Sequence, residues 1–378
     1  MTTPFTFGKI AYDSNFTNRE NESSRLTTNF TSGINTILIS PRRWGKSSLV
    51  VKSAKLANKK DKQLRFVFID LFNVRSEDEF YTLLAKNVLQ QSNTKVEEII
   101  EKAGKFLGRL VPNLSFSPET NNEFSISFNW NEVKKNPDEI LNLAENIAKE
   151  KNFRFVICID EFQNIASFGD SLAIQKKLRS NWQKHKNTTY CLYGSKRYML
   201  MHVFTSPSMP FYKFGDILFL QKIEKTALRK FVIKRFKDTG KKIDKNLAEI
   251  IIDMAECHPY YVQQLAQLVW LRTSVESTED IVTNAHESLI LQLDYLFQKI
   301  TDDLSNTQVN FLKALLSGET HLSSKDVIET YNLGTSANVS RIKSSLENKE
   351  IIDLFDNSIT ILDPMYNYWL KHFYFKIK

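Results

Sequence analysis

The stretch ILISPRRWGKSSLV, Ile37 to Val50, constrains the fold of this chain more than any other. An apolar run enters a turn, and Gly45-Lys46-Ser47 then opens a helical pattern. Strand, tight loop and helix in that order aim backbone N–H groups and a helix N-terminus at one point, which suits an anion. The pattern G-x-x-x-x-G-K-[ST] wants glycine where this chain has Ser40. Pro41 presets the next residue, but only glycine enters positive φ freely, so the spacing predicts a conformational cost at Ser40. Gly45 lets the backbone pass close to a phosphate. Lys46 is placed to reach β- and γ-phosphates, and Ser47 to hold Mg²⁺. Pro41, Arg42, Arg43, Trp44 and Ser48 complete the expected nucleotide contacts. The bland alternative is a basic turn before a helix, with Arg42 and Arg43 facing solvent and Trp44 packing in a groove.

Such a loop needs an acidic residue at the end of a buried strand to complete the magnesium shell. FRFVICIDEF ends in Asp160-Glu161. Asp160 is placed for Mg²⁺ through water, and Glu161 as the base that orients attacking water. The next strand-like run, TTYCLYGS, ends in Ser195, a candidate sensor of the γ-phosphate. These assignments make Lys46, Glu161 and Ser195 the catalytic candidates, and Ser47 and Asp160 the metal candidates. Asn58-Lys59-Lys60-Asp61 matches a guanine-reading motif, but it sits in a polar link directly after the loop helix, not after a late strand. It is read as a solvated turn, which excludes a GTPase.

Strand-like runs at Thr36–Ile39, Arg65–Asp70, Phe153–Ile159 and Thr188–Gly194 alternate with helical patterns at Ser47–Asn58 and Glu77–Gln91. This alternation predicts an α/β fold, a parallel sheet of the P-loop NTPase kind covered on both faces. NLSFSPETNNEFSISFN, Asn113 to Asn129, shows two alternating runs around a polar turn and predicts an inserted β-hairpin. From about Glu224 to Lys299 the pattern is helical. Leu247, Ile250, Ile251 and Met254 make one apolar stripe, and Val262, Leu265, Ala266 and Val269 another. His258-Pro259 separates these two helices. Beyond Thr301, helices at Ser305–Ser317, Ser323–Thr330 and Thr335–Asn348 precede IIDLFDNSITIL, turning on Asp356-Asn357, the order of a winged helix. The expected domains are an α/β domain over 1–222, a helical lid over 223–300 and a winged helix over 301–378.

The net charge is +8, which raises the prior for a polyanionic partner. Residues 301–378 hold 8 Lys/Arg against 10 Asp/Glu, a net of −2, so the excess lies earlier. It gathers in residues 1–60, 171–200 and 222–242. A run long and apolar enough to span a bilayer is missing from the sequence. The start lacks a basic flank before an apolar run, so cytoplasm is the expected compartment and a membrane partner is not expected. Cys158, Cys191 and Cys257 are not paired at metal-ligand spacing and are read as small buried apolar residues.

With these residues in hand, the chain resembles the archaeal-type ATPases of the STAND and AAA-like P-loop class over nearly its whole length. SPRRWGKSSL resembles the family's phosphate loop, ICIDEFQNI its Walker B strand and LYGSKRYML its sensor strand. FTNRENESSRL resembles its entry segment near the adenine. CHPYYVQQL resembles the turn of its helical lid, and LDPMYNYWL its "D-P-x-x-x-x-W-L" ending. The resemblance implies that Lys46, Ser47, Asp160 and Glu161 carry ATP and Mg²⁺, and that His258 and Pro259 approach the nucleotide from the lid. It also implies a nucleotide-driven switch that repositions lid and winged helix. Ser40 and His258 depart from the family pattern. KHFYFKIK follows that ending, so the nuclease module of some relatives is not expected. Two other readings stay open. One is a DNA-binding, initiator-like ATPase, favoured by net charge and winged helix and opposed by the acidic balance of 301–378. The other is a non-hydrolysing, ATP-bound interaction module. A protein partner through the winged helix, and a homo-oligomer with Arg179 or Arg197 donated to a neighbour's site, are left open as well.

Overall fold

A computed structural model describes residues 3–12, 15–92, 96–111, 113–117, 123–355 and 358–377. The described chain divides into two compact units, one of residues 19–40 and 46–220, the other of residues 1–18, 41–45 and 221–378.

The first unit is built on five parallel strands: β1 (Thr36–Ile39), β2 (Leu64–Asp70), β5 (Arg154–Asp160), β6 (Thr188–Gly194) and β7 (Asp216–Phe219), in the order β2-β5-β6-β1-β7. All of β1 and β6 is buried, as is β5 between its two ends. Apolar runs rather than alternation are what a sheet covered on both faces requires. The helices Glu20–Ser32 and Lys46–Lys60 pack together, and Phe30 meets Phe66 of β2 edge-on at 5.5 Å. The expected hairpin is present as β3 (Asn113–Ser117) and β4 (Glu123–Ser127), paired antiparallel. Its turn lies outside the described residues. Around it run helices that periodicity alone did not separate, among them Val96–Leu107 and Leu143–Lys151.

The second unit shares one apolar core between its helical region and its winged helix. Four helices, Lys225–Lys237, Lys245–Met254, Pro259–Arg272 and Glu279–Asp302, form the first part. Phe5, from the far N-terminal segment, enters this core against Phe231 and Phe236 at 6.1 and 5.9 Å. The winged helix follows as Asn306–Leu316, Lys325–Thr330 and Ser336–Asn348, then β8 (Ile352–Phe355) and β9 (Ser358–Ile361). Its wing turn at Asp356-Asn357 falls outside the described residues. Ser305 and Gln308 close a reciprocal capping box that starts its first helix. Trp369, buried at the closing helix Pro364–Trp369, donates from Nε1 to Asp294 at 2.6 Å. Among the described residues, no helix is long and apolar enough to cross a membrane.

Candidate functional site

Strands β5, β6 and β1 are consecutive neighbours, so the residues leaving their C-terminal ends emerge side by side. This edge of an open parallel sheet is where ligands bind in α/β folds. Asp160 ends β5, Ser195 directly follows β6, and the helix after β1 opens at Lys46.

Those ends meet in one hydrogen-bonded set. Ser47 Oγ donates to Asp160 Oδ2 at 2.6 Å, and the Glu161 backbone N–H donates to Asp160 Oδ1 at 2.9 Å. Burial pushes the Asp160 carboxyl above the usual carboxylate range. The Ser47 hydrogen bond and the Lys46 charge pull it back, while the neighbouring Glu161 charge pushes it further up. Lys46 is itself buried, 6% exposed. A hydroxyl and a carboxylate oxygen this close, beside a buried ammonium, form a donor set suited to a hard divalent cation with a phosphate. Glu161 stands in the left-handed backbone region, φ 52°, a conformation that non-glycine residues hold only when their surroundings enforce it. Its Oε2 accepts from Ser195 Oγ at 3.1 Å and from the Gln163 side-chain amide. Thus Lys46, Ser47, Asp160, Glu161 and Ser195, all named from sequence, come together. Ser48 is buried one residue further along the same helix.

The expected cost at Ser40 does not arise. Ser40 is fully buried and lies outside the positive-φ region; the left-handed positions of the loop are Arg43, φ 62°, and Gly45, φ 91°. The loop glycine that matters conformationally is therefore the one the chain kept.

Residues 41–45, His258 and Pro259 belong to the second unit. There the Arg43 guanidinium lies over the Tyr260 ring, 4.4 Å from its centre, and Arg42 Nε pairs with Glu350 at 3.0 Å. Neither arginine is simply solvated. Trp44 is 9% exposed. His258 precedes Pro259, the first residue of its helix. Its Nδ1 has no hydrogen-bond partner among the described residues. Burial, helped by the Arg43 and Lys222 charges, holds the His258 pKa down to about 3, so the imidazole is neutral.

Other predicted features resolve differently. Asp61 ion-pairs with Arg154 at the opposite end of β5 from Asp160. Arg197 is buried, and Arg179 lies 4.9 Å from the Phe214 ring centre, its pKa lowered by burial. Three of the nine Lys/Arg of the 222–242 belt form ion pairs in place. Lys225 pairs with Asp253 at 2.7 Å, Lys222 with Glu256 at 3.7 Å, and Arg229 with Glu249. Cys158 and Cys191 are buried free thiols opposite each other on β5 and β6. The residue that sequence reasoning missed is Gln163. Two polar residues, Gln163 and Asn164, lie between the apolar Phe162 and Ile165, and the spacing does not single out the first.

Residues 295–372 match the family model of a probable winged helix domain. No curated protein matches the sequence. A solved Walker-type ATPase of Pyrococcus abyssi aligns with 95% of this chain and 97% of its own at TM-score 0.64 and 17% identity. The ORC2 protein of Aeropyrum pernix, solved as ADPNP–ADP complexes, aligns with 95% of this chain and 94% of its own at TM-score 0.53 and 16% identity. The ORC1 protein of the same organism, solved in complex with DNA, gives 95% and 93% at TM-score 0.50 and 11% identity. The five-stranded parallel sheet, the loop between β1 and its helix, and the closing winged helix give this chain the fold of the archaeal Walker-type P-loop ATPases.

Proposed function

We propose that the protein binds ATP with Mg²⁺ and hydrolyses it slowly or on stimulation by a partner, as a switch whose nucleotide state repositions the helical region and winged helix. The observation that carries this reading is the Ser47–Asp160 hydrogen bond at 2.6 Å, which joins the two halves of the proposed phosphate and metal site in the first unit. Lys46 would neutralise the β- and γ-phosphates, and Ser47 and Asp160 would hold the ion, which supplies charge neutralisation at the transferring phosphoryl group. Glu161 would accept the proton of the attacking water, and Ser195 would report the γ-phosphate through Glu161. Pro41, Arg42, Arg43, Trp44, Gly45, Ser48, His258 and Pro259 remain the proposed nucleotide contacts. The orphaned, neutral His258 Nδ1 supports keeping His258 among them.

Calorimetry with Mg²⁺ and ATP tests the assignment. Lys46→Ala should weaken ATP binding at least tenfold, about 1.4 kcal/mol; unchanged affinity rejects the phosphate site. Glu161→Gln should keep that affinity while slowing turnover by roughly 10² or more. A wild type without turnover in any condition leaves ATP as a structural ligand only.

A second reading, contact with duplex DNA, is favoured by the hydrogen-bonding and basic side chains around a shallow depression on the winged-helix helix Ser336–Asn348. Ser340, Arg341, Ser344, Asn348 and Lys349 line it. Binding to duplex DNA that weakens with added salt, and is lost in Arg341/Lys343→Glu, is the expected result. No binding by wild type at low salt removes this partner.

A further inference from the structure

Gln163 occupies a place that the proposed site has not used. It sits on the 3₁₀ turn Phe162–Ser167 that follows Glu161, and it is 1% exposed. The turn is pinned by buried Phe162, which lies 5.7 Å from Phe204 and 5.4 Å from Phe211 between ring centres, and by buried Ile165. Gln163 Nε2 donates to Glu161 Oε2, the oxygen that also accepts from Ser195 Oγ at 3.1 Å. Turning the amide over would set its carbonyl against an ionised carboxylate, so the hydrogen bond fixes the orientation. In that orientation Oε1 is buried with no hydrogen-bond partner among the described residues. It points at Gly194, the last residue of β6, where an added Cβ would lie 1.9 Å from Oε1 and 3.0 Å from Cδ. The bare backbone of Gly194 is what lets the amide reach Glu161. A buried polar atom left unpaired is costly, and such exceptions gather at working sites.

From this geometry we propose that Gln163 is a positioning residue for Glu161. Together with Ser195 it fixes one carboxylate oxygen, Oε2, and leaves Oε1 to take the proton of the water attacking the terminal phosphate. The assignment rests on the hydrolytic reading above. An ionised carboxylate has lone pairs for about four hydrogen bonds, so two on one oxygen set the carboxylate plane and leave the other oxygen open. Gln163 touches neither the phosphate nor the water. Its loss should therefore appear in kcat and not in nucleotide affinity.

Gln163→Met keeps the length and shape of the side chain and removes the donor. In the full-length protein it should lower kcat for ATP at least tenfold and leave the ATP Kd by calorimetry within twofold. Gly194→Ala leaves Gln163 in the chain but crowds its amide, and should lower kcat comparably. Gln163→Ala/Gly194→Ala should be no slower than Gln163→Ala alone, because both changes break one contact. A second readout does not depend on turnover. The side-chain amide resonances of Gln163, identified by their loss in Gln163→Met, should be displaced in Glu161→Ala. Unchanged kcat in Gln163→Met, parallel loss of affinity, independent losses in the double variant, or amide resonances that ignore Glu161→Ala would each overturn the assignment. A faster Gln163→Met would make the contact a brake and overturn it too. A wild type without turnover would instead bring down the hydrolytic reading, and with it any catalytic purpose for a contact that the amide resonances still reveal.

Discussion

Asp160 is half-buried and close to a second carboxylate, and each of these opposes its ionisation. Two hydrogen bonds and the Lys46 ammonium offset only part of that cost. With its folded pKa raised above the unfolded value, its favourable contribution to folding is present at acid pH, below about 4. That contribution is lost as pH rises through the raised value. At neutral pH Asp160 therefore burdens the nucleotide-free fold, a price explained by function. Asp160→Asn tests this directly. An amide keeps an oxygen for the Glu161 N–H and a partner for Ser47 Oγ, yet carries no charge. The nucleotide-free variant should melt higher than wild type, by roughly 2–4 °C for each kcal/mol relieved. Mg²⁺ should no longer add to its ATP affinity. A lower melting temperature without nucleotide would show that the carboxylate stabilises the fold.

At the scale of elements, the most buried pieces were the most legible. β1 and β6 are buried throughout and β5 between its ends, so their largely apolar runs stood out. The loop helix and the winged-helix helices begin within two residues of where caps and periodicity put them. What stayed hidden has physical reasons. β7 is four residues of an edge strand, too short to show a period. The helix Ser171–Trp182 carries so much basic charge that its buried Ile174, Leu178 and Trp182 were passed over. Gln163 belongs to a turn whose importance lies in contact with a distant strand end, which spacing cannot reveal. One joint within the second unit could not be read from sequence at all. Asp363 accepts from the backbone N–H groups of Met365 at 2.9 Å and Tyr366 at 3.1 Å, capping the last helix, and also from the Tyr261 hydroxyl. Asp363→Ala removes the cap and strands a buried phenol, which should cost about 2–4 kcal/mol in urea unfolding. Tyr261→Phe removes one of the three bonds and should cost less, about 1 kcal/mol. Equal losses in the two variants would mean that the cap contributes nothing.

Across the whole molecule, charge is arranged more locally than a net of +8 suggests. Lys177 pairs with Glu77 at 2.8 Å, Lys102 and Lys105 both pair with Glu150, and the basic belt at 222–242 meets the acidic face of the next helix. Buried histidines, not these exposed pairs, should govern how stability responds to mild acid. His258 is held at about 3 by burial with Arg43 and Lys222 nearby. Burial also lowers His185, which lies between the Tyr190 hydroxyl and Asn142, and His286, where the His372 charge adds to the effect. In each the folded pKa lies below the unfolded one, so the contribution is fully present above the unfolded value, about 6.5. It is lost as pH falls, because the unfolded chain binds protons that the folded chain refuses. Between pH 6.5 and 5, His258 alone should remove about 1.4 kcal/mol per pH unit once unfolded histidine is fully protonated. His185 and His286 act in the same direction. Asp160 and Asp363, both raised by burial, are two carboxyls acting in the opposite sense to these three imidazoles. The urea midpoint should therefore fall steadily from pH 7 to pH 5. His258→Asn, which cannot take up a proton, should flatten that fall by about one proton's slope. A midpoint that holds or rises between pH 7 and pH 5 would mean that the buried imidazoles are protonated in the folded protein, and the neutral His258 offered above as a nucleotide contact would have to be given up.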